Sequence, residues 1–293
     1  MLHVVALPEL LYRPPLMRSV LLLTPMVLGA CAGPSVRAPS VDEHVPPFAR
    51  VPYEPFSRDA AVQIALREWR LFGSPVDDNP PGSYHPATPE DKPERQQGLW
   101  QRVGEYWWEG LNPGDPDSTW TGMHDADGVE FPASEDGTYA WSAAFISYVM
   151  RIAGAGARFP YAAAHADYIN LAKQMKLRQT SGWAISAEAP VSYAAQPGDL
   201  ICLSRGVVPP LSYDDLPMGH FPSHCDVVVR ADSGMLTVVG GNVDDAVTMK
   251  HVPTTPDGML VTSDGTVVDP RYNWFVVIRV LYGDVAQAAT PGV

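Results

Sequence analysis

The chain has 293 residues, room for one large domain or for one domain with an appendage. Its make-up, 46% hydrophobic and 18% charged, excludes a wholly disordered or fibrous chain. Against 33 Asp and Glu stand only 20 Lys and Arg, a formal net charge of −13 that argues against nucleic acid as a partner and against a polybasic membrane anchor.

The N-terminus reads as an address. Arg18 precedes an apolar run over residues 20–30, well short of the roughly 20 residues that cross a bilayer. A basic start, a short apolar core and small residues at its end describe a secretory signal. Leu28-Gly29-Ala30-Cys31 resembles the lipobox of bacterial lipoproteins. That resemblance implies lipidation at Cys31, removal of residues 1–30, and Met17 as the start codon's residue. It places the protein in the cell envelope, tethered through lipid on the periplasmic side of the outer membrane. The mature chain then keeps 32 acidic and 18 basic residues, a net −14.

Of the 30 prolines, 19 lie before residue 133. Residues 31–56 read as a Pro-rich tether between lipid and folded body. Residues 57–136 form an N-terminal helical and loop region, 137–284 an α+β domain, and 285–293 a tail. Ser57 reads as an N-cap. Val62, Ala65, Leu66, Trp69 and Phe72 follow at helical spacing, which predicts a helix over 58–72. A second helix is expected over 95–109, with Leu99, Val103, Tyr106 and Trp107 as its apolar stripe. Of the aromatics Trp100, Tyr106, Trp107, Trp108 and Trp120, most are expected in the core, with one or two left to line a groove for glycan or peptide. Residues 110–138 are rich in Gly, Asp and Pro. Within them, residues 124–130 (His-Asp-Ala-Asp-Gly-Val-Glu) hold too few oxygen ligands at set spacing for a calcium loop, and Asp-Gly turns explain them better.

A third helix is expected from Trp141, with Trp141, Ala144, Phe145, Tyr148, Val149 and Ile152 buried and Gly154 and Gly156 ending it. A fourth covers 161–175. Strands are expected at 200–203, 226–231, 236–239, 247–252 and 274–282. Helices first and an antiparallel sheet second give an α+β fold. Cys202 and Cys225 read equally as a disulfide pair of an oxidising compartment or as two small buried residues.

Three positions carry candidate chemistry. Ser142 begins the third helix, where the helix dipole stabilises a developing anion. His224 opens a strand and can take a proton from such a nucleophile. Asn242 ends the next strand and can orient the imidazole. Asp226, two residues from His224 and on the same strand face, is a source of charge for that imidazole, as are Asp244 and Asp245. His165 in the fourth helix is a candidate pocket residue. Cys225 points away from His224 and is a poor replacement nucleophile.

This order resembles that of papain-like cell-wall amidases: a helix-borne nucleophile, a strand His, then a polar residue on the following strand. Trp141-Ser142-Ala143-Ala144-Phe145 resembles the Trp-Cys-Ala-Ala-Phe segment of that superfamily, with Ser in place of Cys. Gln196-Pro197-Gly198-Asp199-Leu200-Ile201 resembles the strand entry of its NlpC-type and CHAP-type members. More closely, the chain resembles a bacterial family catalogued as domain of unknown function 2272. The carrying segments are Trp141–Met150, His165-Ala166-Asp167-Tyr168, His224–Val229 and Gly240-Gly241-Asn242-Val243, within residues 95–282. The resemblance implies a papain-like core and an amidase or peptidase acting on cell-wall peptide or glycopeptide. Ser142, His224 and Asn242 would be catalytic, and Trp141, His165 and Asp226 would line the pocket. No cofactor and no metal are implied. The alternative is a catalytically inactive module of the same fold that binds cell wall or a partner, because a serine cannot form the thiolate–imidazolium pair available to cysteine.

Overall fold

The computed structural model describes residues 55–86, 88–206 and 209–283. The signal segment, Cys31 and nearly all of the tether lie outside them, as does the C-terminal tail. Helix α1 (Arg58–Leu71) begins where expected: Ser57 Oγ accepts the Ala60 N–H at 3.2 Å and closes one of the helix's orphan donors. Helix α2 (Leu99–Gly110) starts four residues later than its sequence pattern suggests. Pro93–Arg95 forms a separate 3₁₀ turn, and Gly98 takes φ 89°, a left-handed conformation that turns the chain into the helix. Helices α3 (Ser142–Ile152) and α4 (His165–Lys176) follow. Every residue of α3 from Ser142 to Met150 is buried, whereas Ile152, expected inside, is 46% exposed because it lies past the edge of the core.

The strands are β1 (Ile185–Glu188), β2 (Leu200–Ser204), β3 (Ser223–Asp232), β4 (Met235–Val243), β5 (Ala246–Pro253) and β6 (Trp274–Val280). They form one antiparallel sheet in the order β1-β6-β2-β3-β4-β5. The fold is α+β. Strand β1 has no counterpart in the sequence reading: it is a four-residue edge strand whose Ser186 and Glu188 break any apolar run.

Both faces of the sheet are covered. Cys225, Val227, Val239, Val276 and Ile278 join α1, α3 and α4 in the main core. Val228, Val238, Val252 and Val277, of alternate parity along their strands, pack with Trp274 beneath Leu260 and Tyr272 on the other side. The main core also takes Phe56, Tyr106, Trp107 and Leu111 from the region before residue 137. There Glu68 is fully buried. Its charge is balanced by Arg102, whose Nε donates to Oε2 at 2.6 Å, and by the Tyr106 hydroxyl at 2.9 Å.

Asp199 explains the Pro-Gly-Asp-Leu segment. Its carboxylate is buried and accepts from Gln196 N at 3.0 Å, the Tyr193 hydroxyl at 2.8 Å and Val280 N at 3.1 Å. It therefore fastens the entrance of β2 to the end of β6. Gly198 has φ 89°, and a Cβ there would lie 2.8 Å from the Tyr282 hydroxyl. Beside it, Cys202 and Cys225 sit directly opposite each other on β2 and β3 and are joined by a disulfide.

The 110–138 stretch folds back through 3₁₀ turns at Pro116–Thr119 and Ala133–Tyr139, and Phe131 stacks on Tyr139 with ring centroids 3.8 Å apart. Asp125 Oδ1 accepts Asp127 N at 3.0 Å and Val129 N at 2.9 Å, an Asx-type turn that accounts for its acids. Among the described residues no helix is long and apolar enough to cross a membrane.

Candidate functional site

The start of α3 is fixed from below. Trp141, only 1% exposed, stacks against Phe72 and Tyr106 and donates its indole N–H to Glu94 Oε2 at 2.6 Å. It is a core residue and offers no surface to a ligand, contrary to its expected place in the pocket lining. With Trp141 anchored, Ser142 becomes the first helical residue, beside the free backbone N–H groups of the helix start.

Ser142 Oγ lies 2.7 Å from Nε2 of His165, the first residue of α4. The other ring nitrogen, Nδ1, meets the hydroxyl of Tyr168, one turn further along α4. Tyr168 is fully buried and this is the hydroxyl's hydrogen bond among the described residues. A buried phenol satisfies its proton only by donating it. That assigns the proton of neutral His165 to Nε2, so His165 donates to Ser142 Oγ. The serine's own proton is then left for another acceptor.

The ring of His224 stands beside that of His165, with centroids 5.3 Å apart. His224 is fully buried at the start of β3. Its Nε2 lies 2.9 Å from Asp226 Oδ1, and Asp226 Oδ2 lies 2.7 Å from Lys250 Nζ on β5. Asp226 is 0% and Lys250 1% exposed. Nδ1 of His224 is buried and meets no hydrogen-bond partner among the described residues. Burial pushes His224 down to about 4, against the pull of Asp226, so the ring is neutral at pH 7. Burial and the neighbouring His224 likewise hold His165 well below the usual histidine range. Burial opposes ionisation of Asp226, but Lys250 and His224 prevail and keep its carboxyl well below the ordinary carboxylate range. A neutral His224 bonded through Nε2–H to a carboxylate has one free lone pair, on Nδ1.

Gly240 and Gly241 make the arrangement possible. A Cβ on Gly240 would run into Asp226 Oδ1 and come within 2.9 Å of His224 Nε2; one on Gly241 would lie 2.6 Å from Phe145 Cβ and 2.8 Å from the Trp141 ring. The first glycine clears space for the His224–Asp226 pair. The second lets α3 settle on β4.

Asn242, expected to orient His224, does not do so. It takes φ 54° where β4 loses its register with β5, and its amide donates to Glu94 Oε2 at 3.1 Å. The orienting group is Asp226. Glu94 and Lys250 were not singled out in the sequence. Burial, then Asp245, pushes Glu94 up to about 8, against the Trp141 N–H. The one signal for Lys250 was a lysine inside the apolar alternation of Val247–Val252.

His224 lines a cavity of about 410 Å³, with Lys250, Asp77, Asp244, Arg205 and Arg271 around it. Ser142, 6% exposed, is not part of that lining. Among the described residues no group of three or more His, Cys, Asp or Glu is disposed to hold a metal ion. The arrangement can hold a serine oxygen by one imidazole and offer a carboxylate-oriented lone pair on a second.

No curated protein and no solved structure matches this chain. Residues 94–280, more than half of the chain and beginning at Glu94 itself, match the family model described as an uncharacterized protein conserved in bacteria, DUF2272, and the chain belongs to that family.

Proposed function

We propose that this is a lipid-anchored cell-envelope protein with a papain-like pocket, acting as an amidase or peptidase on the peptide of the cell wall. In this reading Ser142 is the nucleophile and His224 the base. The observation that carries it is a pair of complementary orphans around His165: a serine hydroxyl proton without an acceptor, and an imidazole lone pair without a donor. Ser142 Oγ attacks an amide carbonyl and passes its proton to His224 Nδ1. His224 then delivers that proton to the leaving amine, and water cleaves the acyl-enzyme by the same route. Backbone N–H groups at the start of α3 receive the oxyanion. Asp226 holds the His224 tautomer, and His165 and Tyr168 position Oγ. The Cys202–Cys225 disulfide supports a location outside the cytoplasm.

The second reading, a non-catalytic module that binds cell wall or a partner, is favoured by the burial of Ser142 and its absence from the lining of the His224 cavity. Incubating the detergent-purified chain with peptidoglycan, beside its Ser142→Ala variant, separates the two. New fragments from the wild type alone support the hydrolase, and their masses name the bond. No fragments from either, with both proteins pelleting with peptidoglycan, supports the binder. Equal cutting by both removes Ser142 from the mechanism.

A further inference from the structure

The His224 cavity carries opposite charges that its own residues do not neutralise. Arg205, at the end of β2, is exposed at its rim, and among the described residues its guanidinium has neither an ion pair nor a hydrogen bond. It feels the field of Asp226 without touching it. The other cations are engaged: Lys250 with Asp226 at 2.7 Å, and Arg271 with Asp269 at 2.9 Å. Asp77 and Asp244 also line the cavity, and Asp77 Oδ1 accepts from Asn79 N and Nδ2, each at 2.9 Å. Among the described residues no cation forms an ion pair with either carboxyl group. Burial and then Asp77 push Asp244 up to about 6, the behaviour of an acid pair short of a cation.

We propose that this cavity is a binding site for an amino-acid-like zwitterion, a free amino acid or the unblocked end of a short peptide, whose carboxylate pairs with Arg205 and whose ammonium pairs with Asp77 and Asp244. A simple anion would meet the two aspartates, and a simple cation would meet Arg205, Lys250 and Arg271. Only a ligand with both charges matches the lining. Its volume of about 410 Å³ suits a ligand of one to a few residues. The inference deepens the proposed cell-wall peptide reading by naming the chemistry of the bound end, but the binding it describes does not require hydrolysis.

The experiment is equilibrium titration of the detergent-purified Ser142→Ala chain with alanyl-alanine, N-acetyl-alanyl-alanine and alanyl-alanine amide. The free dipeptide is expected to bind, and blocking either end to weaken binding at least tenfold. Arg205→Ala should weaken the free dipeptide at least tenfold and leave the amide unchanged. Asp244→Asn should weaken the free dipeptide and leave the N-acetyl form unchanged. Both substitutions are compatible with folding: Arg205 is exposed, and Asp244 has φ 53°, where Asn is as well tolerated as Asp. No binding of the free dipeptide, equal binding of the blocked forms, or indifference to Arg205→Ala would overturn the proposal. Dipeptide binding without peptidoglycan cleavage would remove the hydrolase and keep the zwitterion site. Cleavage without dipeptide binding would do the reverse.

Discussion

At the scale of single residues, the question is which group orients His224. Asp226 holds Nε2 at 2.9 Å, and Asn242 is occupied by Glu94. Changing Asp226 to Asn keeps the shape but lets the amide present an N–H to Nε2, which favours the tautomer with its proton on Nδ1. Loss of the matching carboxylate in a serine triad lowers turnover about 10⁴-fold. Asp226→Asn should therefore cut peptidoglycan fragment release by about that factor, whereas Asn242→Ala should cost less than about tenfold. Equal losses, measured as initial rates, would return the orienting role to Asn242. Lys250 gives a stability counterpart. Lys250→Met leaves a buried carboxylate without its cation, a loss of about 3–5 kcal/mol on the usual scale for one member of a buried pair. Urea unfolding of the variant measures it, and a change below 1 kcal/mol would mean that water reaches Asp226. Ser142, His165 and His224 were legible because serine at a helix start and histidine at a strand start are local patterns. Asp226 was legible as the i, i+2 neighbour. Lys250 and Glu94 were not, because sheet pairing and a returning loop decide their burial, and no local spacing records either.

Elements succeed or fail here through backbone approach. Helix α3 sits on β4 because Gly241 leaves room for Phe145 and Trp141, and the His224–Asp226 pair closes because Gly240 leaves room beside it. The two glycines are adjacent, yet their substitutions should separate. Gly241→Ala overpacks the helix–sheet seam and should destabilise the fold by about 1–3 kcal/mol. Gly240→Ala drives a methyl into the carboxylate that orients His224, so activity should fall further than thermal stability accounts for. Fragment release at a temperature where both variants remain folded distinguishes them, and equal residual activities would refute the division of roles. The helices and five of the six strands were readable from periodicity and caps. Strand β1 was missed because an edge strand with two polar residues in four carries no alternation, and it is held by register with β6 (Ile185 opposite Val280) rather than by its own composition. The late start of α2 has a similar cause: Pro93 and Gly98 punctuate a stretch whose composition is otherwise helical.

For the whole molecule, two buried groups give the pH dependence of stability opposite slopes. His224 titrates at 6.5 in an unfolded chain and at about 4 when folded. Between those values the unfolded chain holds more protons. Its contribution, on the order of 3 kcal/mol, is therefore present above pH 6.5 and lost as the pH falls toward 4. Glu94 is the reverse case, titrating at 4.5 unfolded and at about 8 folded. Between those values the folded chain holds more protons, so its contribution is present below pH 4.5 and declines as the pH rises to 8. Glu94→Gln preserves an acceptor oxygen for Trp141 and Asn242 while removing the ionisation. The stability of the variant relative to wild type should thus climb steadily from pH 4.5 to 8 and stay level outside that window. Chemical denaturation at several pH values measures the difference directly. A difference that does not change with pH would mean that Glu94 is already ionised in the folded protein. The anchor beneath Trp141, and with it the placement of Ser142, would then rest on a carboxylate, and the link from the loop before α2 to helix α3 would hold unchanged as the pH rises.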